Sequence, residues 1–298
     1  MKKLSKSLLF FLRFKILKRS IIYWISKHLL TSKELIDLTY LNFTSGLPKD
    51  ILVLNSKLST MLKVFDYLKN DNNNNELFQR FLRNSISNSN ILESQFLQDC
   101  FVDTLFEGIE GGCFIEIGVG DGKRISNTYF LEKYRNWHGL LCEPSLRWHE
   151  SIISNRAAFL VKNAITNRSG EILKFAEVLN DGEQSTLLNF LNSDGHDRAN
   201  FKEYDVLSST FDDVVSSNLK TNIIDYLSID TEGSELDIIS GIDFLKYEIR
   251  CISVEHNYES KKLDKIREIL INNNYVEIGF YIFSEDVFFV KNNLVNSL

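Results

Sequence analysis

The sequence predicts an α/β fold: a mostly parallel, seven-stranded sheet ending in an antiparallel hairpin, with a helical extension in front of it. Three observations lead there. From about residue 93 onward, short apolar runs alternate with amphipathic segments, the pattern of parallel strands joined by crossover helices. The last two runs are separated by only Phe283, Ser284 and Glu285, too short for a crossover, so they must pair antiparallel. The first run ends in the glycine-rich stretch CFIEIGVGDGKRISNT (113–128), where a strand has to turn tightly.

In chain order the strands are read as GCFIEIG (112–118), HGLLCE (138–143), AFLVKNAI (158–165), IDYLSID (224–230), IRCISVEH (249–256), YVEIGFYI (275–282) and DVFFVK (286–291). Helices fit between them at 126–135, 144–155, 233–246 and 259–273. The segment 166–222 is longer than a plain crossover. It holds a strand-like piece, GEILKFAEV, followed by the polar LNDGEQSTLLNFLNSDGHDR. Such an insertion beside the strand tips reads either as a lid or substrate wall or as an irregular surface excursion.

The chain divides into a basic leader (1–33), a helical extension with an Asn-rich linker (34–92) and the α/β domain (93–298). With 44% hydrophobic residues in 298, a sizeable core is available. In the extension, 34–69 shows helical apolar spacing, Asn72 to Asn75 reads as a flexible linker, and ELFQRFLRNSISNSN reads as a short helix. The leader holds nine Lys or Arg and no acid. Arg13 ends its first apolar run and no small-residue cleavage site follows, so it is not a signal peptide. As a membrane span it would bury Arg13, Lys15, Lys18 and Arg19 at about 10–14 kcal/mol, against about 3–7 kcal/mol returned by its apolar residues. Wound as a helix it lines up Phe10, Phe14, Leu17, Ile21 and Trp24 between basic residues. That stripe suits an anionic membrane surface, at the inner face of the membrane of a cytoplasmic protein, or docking on the body or a partner. Beyond the leader, 25 basic residues face 40 acidic ones, which leaves no nucleic-acid footprint. Of the four cysteines, Cys113, Cys142 and Cys251 fall in apolar runs without metal-ligand spacing and read as reduced core residues.

The chemistry concentrates at the strand tips. Glu116, Gly118, Gly120, Asp121 and Gly122 place glycines where backbone must turn and approach a ligand. A dinucleotide fingerprint needs a further glycine where Lys123 stands, which argues against a pyrophosphate on the helix start. An acid before the first glycine suits a ligand with a cationic group, such as the amino and sulfonium charges of S-adenosylmethionine. Glu143 ends the second strand, where a carboxylate can accept both hydroxyls of a ribose. The plainer alternative is a simple turn at 120–122 and a helix cap at Glu143 before Pro144.

At these residues the chain from about 93 to 291 resembles the FkbM-type S-adenosylmethionine-dependent methyltransferases, a family with a class I Rossmann-like fold. The resemblance rests on SQFLQD (94–99), FIEIGVGDGKRISNT (114–128), WHGLLCEP (137–144), NR (155–156), DYLSIDTEGSELDIISGIDF (225–244) and ISVEH (252–256), in family order. It implies an enzyme that transfers a methyl group to a hydroxyl of a sugar, polyketide or related metabolite. For the donor it implies Glu116, Gly118 and Gly120 at the methionine part, Glu143 at the ribose, Ser126 and Asn127 beside the pocket, and Asn163 at the adenine, with Asp121 also among the cofactor-binding residues. Ser94, Gln95 and Gln98 would either close over the donor or serve the structure.

Asp230 ends the fourth strand, and Glu255 and His256 end the fifth, so both tips point into one crevice. Asp230 would orient the acceptor or donor, with His256 as general base for the acceptor hydroxyl. Alternatively Asp230 and Glu255, with His256, would hold a magnesium ion, as some O-methyltransferases do. Glu232 and Glu235 read as first-turn residues of the following helix. The acceptor is expected to be a small molecule or a sugar of a glycan. Two rivals stay open: an NAD-dependent sugar-modifying enzyme, opposed by the absent fingerprint, and a non-catalytic binding or scaffold module in glycan assembly.

Overall fold

The computed structural model describes residues 49–70, 75–193, 196–279 and 281–295. The basic leader with its Phe10–Trp24 stripe, and Asn72 to Asn74 of the expected linker, lie outside the described residues. Among these residues no helix is long and apolar enough to cross a membrane.

The strands are β1 (Cys113–Ile117), β2 (His138–Cys142), β3 (Phe159–Val161), β4 (Ala164–Ile165), β5 (Ile172–Val178), β6 (Thr186–Leu187), β7 (Phe201–Ser209), β8 (Ile223–Ile229), β9 (Glu248–Glu255), β10 (Tyr275–Ile278) and β11 (Asp286–Lys291). Seven of them form the main sheet in the order β10-β11-β9-β8-β1-β2-β3. All neighbours are parallel except β11, which runs antiparallel to both β9 and β10. This is the α/β, Rossmann-like sheet with a terminal hairpin that the sequence predicts. The chain starts at the centre with β1, builds outward through β2 and β3, then crosses to β8 on the other side of β1. That reversal opens a crevice above the carboxyl ends of β1 and β8, where ligands bind in open α/β sheets.

The helices are α1 (Lys49–Asn70), α2 (Glu76–Ser87), α3 (Gln98–Leu105), α4 (Tyr129–Arg135), α5 (His149–Asn155), α6 (Phe211–Asn218), α7 (Glu235–Ser240), α8 (Ser260–Asn272) and α9 (Asn292–Val295). Side chains alternate along the strands, so the sheet has two apolar faces. Phe114, Tyr226, Cys251, Phe288 and Val290 pack with α2, α3, α4 and α5 on one face. Ile115, Leu227, Ile252, Val287 and Phe289 pack with α6, α7 and α8 on the other. The extension is tied to the first face by aromatic rings. Phe81 of α2 meets Phe101 of α3 at 5.6 Å between centroids, and Phe101 meets Phe288 of β11 at 4.6 Å. Asn75, expected in the linker, instead caps α2 by accepting from the Phe78 N–H at 3.3 Å. All four cysteines are free and buried.

Three expected elements change shape for identifiable reasons. The run 158–165 splits after Val161, whose carbonyl accepts the Glu143 N–H at the end of β2. With no neighbour left to follow, the chain pairs Ala164 and Ile165 with β7 in a second sheet, order β4-β7-β5-β6. The insertion 166–222 is therefore mostly built structure, comprising β5 to β7 and the crossover helix α6. The run 275–282 stops as a strand at Ile278. Gly279 turns with φ +66°, and Ile282 and Phe283 drop into the core, so the hairpin keeps its antiparallel pairing over a longer connection. The helix expected from 126 starts at Tyr129 because Ser126 and Asn127 are committed to the site described below.

Gly139 of β2 lies against β1: a Cβ there would stand 1.8 Å from the Phe114 carbonyl oxygen. Gly139→Ala must spread two central strands, and a lower thermal unfolding midpoint is expected, equivalent to about 1–3 kcal/mol.

Candidate active site

The glycine loop after β1 is wound around a buried charge. The Glu116 carboxylate is 1% exposed and accepts from Ser126 Oγ (3.0 and 2.9 Å), the Asn127 N–H (2.7 Å) and Thr128 Oγ1 (2.5 Å). Arg156, at the end of α5, completes the shell with an ion pair at 3.4 Å. Its guanidinium also donates to the Gly122 carbonyl (3.1 Å), to Thr128 Oγ1 (2.8 Å) and to Glu132 (2.7 Å). The negative charge at the tip of β1 thus has a cation from within the chain. Arg156 stands in the sequence only as part of the dipeptide NR. The signal that could have found it is general: a carboxylate inside a buried strand needs a buried cation.

Ile125, before Ser126, has φ +59°, a costly conformation for a β-branched residue. A parallel bridge to Ser94 pins it, and Ser94 is fixed in turn by Asp99, which accepts from the Ser94 and Glu93 N–H groups. Gln98 donates to Asp286 and accepts from the Phe96 N–H. Ser94 and Gln98 thereby serve the structure, and Gln95 is half-buried outside the cavity.

The cavity above β1 and β8 gathers Glu116, Gly118, Gly120, Ser126, Asn127, Glu143, Asn163 and Asp230 of the expected site. Gly118 (φ +84°) is required where the two strand tips touch, since a Cβ there would lie 1.6 Å from the Asp230 carbonyl oxygen. Glu143 accepts from the N–H groups of Val119 (3.0 Å), Gly120 (3.1 Å) and Ser145 (2.8 Å), which oppose the upward pull of burial on its carboxyl. Asn127 donates from Nδ2 to Ser228 Oγ at 2.9 Å, at the end of a buried row running through Ser253 to Tyr226. Its Oδ1 is buried and has no hydrogen-bond partner. Asn163 donates to Ser209 Oγ at 2.7 Å. The sequence reading did not single out Trp148, Phe175 and Leu187, which also wall the cavity.

Asp121, Glu255, His256 and Gln95 are not brought to the lining of this cavity. Asp121 accepts from the N–H groups of Lys123 (2.8 Å) and Arg124 (2.7 Å), closing its own turn. His256 is 3% exposed and accepts the Tyr258 N–H on Nδ1 at 3.0 Å, so its neutral ring carries the proton on Nε2. Burial, with Lys262 and Arg267 nearby, lowers its pKa. Such a ring has no free lone pair to take a proton from an acceptor. Glu235, at the start of α7, pairs with the buried Lys262 at 2.9 Å and accepts from the Thr231 and Gly233 N–H groups.

What remains at the tips of β8 and β9 is a corner of acids. One carboxylate oxygen from each of Asp230, Glu232 and Glu255 lies within 4.8 Å of the others. Burial, and then the neighbouring Glu235, Glu285 and Glu116, push the Asp230 carboxyl up to about 7, against a hydrogen bond with Glu255. Burial and Asp230 hold Glu255 well above the usual carboxylate range, and Glu255 Oε2 has no partner. Glu232 (φ +59°) is paired with Arg198 at 2.7 Å.

A model of the FkbM methyltransferase domain matches residues 116–277. Among solved structures, a methyltransferase from Pyrococcus furiosus is 15% identical over 72% of this chain and 96% of its own, with a TM-score of 0.35. The fibrillarin pre-rRNA processing protein of Methanococcus jannaschii is 10% identical over 61% of this chain and 66% of its own, with a TM-score of 0.31. No curated protein sequence matches the chain.

A carboxyl raised in the folded state destabilises the protein once it ionises. The penalty is absent below the ordinary Asp range and complete above about pH 7 for Asp230. Asp230→Asn is therefore expected to unfold at a higher temperature than the wild type at pH 8, by the equivalent of about 2 kcal/mol, with the difference vanishing near pH 4. Equal midpoints at both pH values would remove Asp230 as a strained acid.

Proposed function

The chain belongs to the FkbM methyltransferase domain family, and from that premise we propose that it methylates a hydroxyl oxygen on a sugar of a glycan or related metabolite. As in other methyltransferases of this family, S-adenosylmethionine is the donor; it supplies a methyl group on a sulfonium sulfur, which a nucleophilic oxygen can take directly. The observation that carries the donor reading is the polar lining of the cavity, where Asn127 brings an amide beside the turn at Gly118 and Gly120. Glu143 adds an acceptor on the adjoining wall. Among the described residues, no lysine, arginine or histidine lines this cavity, so its field favours a cationic ligand.

The residues divide the work. Asn127 and Glu143 bind and orient the donor, while Trp148, Phe175 and Leu187 exclude water from it. Asp230, with its carboxyl near 7, is poised to accept the hydroxyl proton as the oxygen becomes nucleophilic. Glu255 beside it shares a hydrogen bond that holds the Asp230 carboxylate in place. His256 is left without a part in proton transfer.

A second reading is favoured by the convergence of Asp230, Glu232 and Glu255, whose hard oxygens suit Mg²⁺. Glu232 would then give up its ion pair with Arg198. The ion would act as a Lewis acid on the acceptor oxygen.

Calorimetric titration with S-adenosylmethionine should show binding by the wild type, weakened about 10- to 100-fold in Asn127→Ala and Glu143→Ala. Unaltered affinity in both variants would move the donor elsewhere. In a screen of neutral glycosides read by S-adenosylhomocysteine release, Asp230→Asn should lower turnover about 100-fold or more. Wild-type turnover that survives EDTA assigns the acid corner to proton transfer; loss on EDTA with recovery on Mg²⁺ assigns it to the metal.

A further inference from the structure

A strap of chain forms one wall of the cavity. It runs from Val178 at the end of β5 to Leu187 in β6, with a 3-10 turn at Gly182–Gln184 as its apex. Gly182, Glu183, Ser185 and Leu187 line the cavity from above. Gly182 sits against Trp148, and a Cβ there would stand 2.8 Å from the indole ring.

Three arginines from three parts of the fold hold this strap. Arg147, just before α5, donates from Nη1 to the carbonyls of Val178 and Leu179, both at 3.2 Å. Arg198, before β7 and 3% exposed, donates from Nε to the Gln184 carbonyl at 2.7 Å. Arg124, within the glycine loop, forms an ion pair with Glu183. The first two are backbone anchors at either end. The third joins two side chains and so links the glycine loop to the strap, two segments that both line the cavity, and water reaches both side chains, at 30% and 21% exposure. An ion pair open to water is weak and screened by salt.

We propose that the Arg124–Glu183 ion pair is the latch through which the donor enters and leaves: residues 180–183 lift when it breaks and seat on Trp148 when it reforms. This rests on the donor reading of the cavity given above. Breaking the latch lowers the barrier to exchange without removing a donor contact. Association and dissociation should then accelerate together, and affinity should hold.

The test is stopped-flow tryptophan fluorescence with S-adenosylhomocysteine on the full chain, Trp148 reporting occupancy. Glu183→Gln should raise both rate constants by about three- to tenfold, with the dissociation constant within about twofold of wild type. Arg124→Gln should do the same, and the wild type in molar salt should approach both. The charge swap Arg124→Glu with Glu183→Arg should return the rates toward wild type. Rates unchanged in both single variants and in salt would overturn the latch. Faster dissociation alone would overturn it too, making Glu183 a direct donor contact. Absence of binding by the wild type would instead overturn the donor reading itself.

Discussion

The site depends on one buried ion pair, Glu116 with Arg156. A pair of charges taken out of water is no gain in itself over a well-packed apolar pair, but losing one partner strands the other at a cost of about 3–5 kcal/mol. What the pair contributes here is shape. Both oxygens of Glu116 and most donors of Arg156 are spent on the loop between β1 and α4, so the loop has one way to close. That closure sets Asn127 over Ser228 with its carbonyl oxygen left over, and forces Ile125 into a strained turn held from Ser94. The position of Asn127 in the cavity wall is thus set by a charge pair and hydroxyls packed behind the loop.

The acid corner follows from the same geometry. Because Gly118 has no side chain, Asp230 can bring its backbone against the tip of β1 and accept a place among other carboxylates. Like charges at close range cannot all ionise, so the corner retains protons near neutrality, which is where a base for a weakly acidic hydroxyl must operate. The donor-binding half of the site, through Asn127 on Ser228, and the proton-accepting half, through Asp230, therefore both rest on β8. The extension packs on the sheet face that also carries Glu116 and Ser228, its rings meeting edge to face down to Phe288 below the strand tips.

The sheet and its hairpin were legible because apolar runs and their spacing carry a two-residue or 3.6-residue period directly. Glu143 and Gly118 were legible as residues of strand tips, where topology alone puts them in a crevice, whereas Asn127, in the loop before α4, was legible only through the family resemblance. Arg156 and Arg198 were not, because a long cation reaching back across the chain leaves no local pattern. His256 misled for the opposite reason: its position at a strand end is right, but a backbone N–H two residues on occupies the nitrogen a base would use. The insertion was read as polar excursion or lid, and β7 escaped because its alternating Phe-Lys-Glu-Tyr-Asp-Val pattern pairs with β5 rather than with the main sheet.

Arg147 and Arg198 grip the strap by its carbonyl oxygens. Every amino acid offers the same carbonyl, so these anchors are indifferent to which side chains the strap carries. The strap's side chains can therefore change without loosening its hold on the cavity wall. Point substitutions within this one short segment can in this way reshape the wall of the cavity while the path of the backbone is kept.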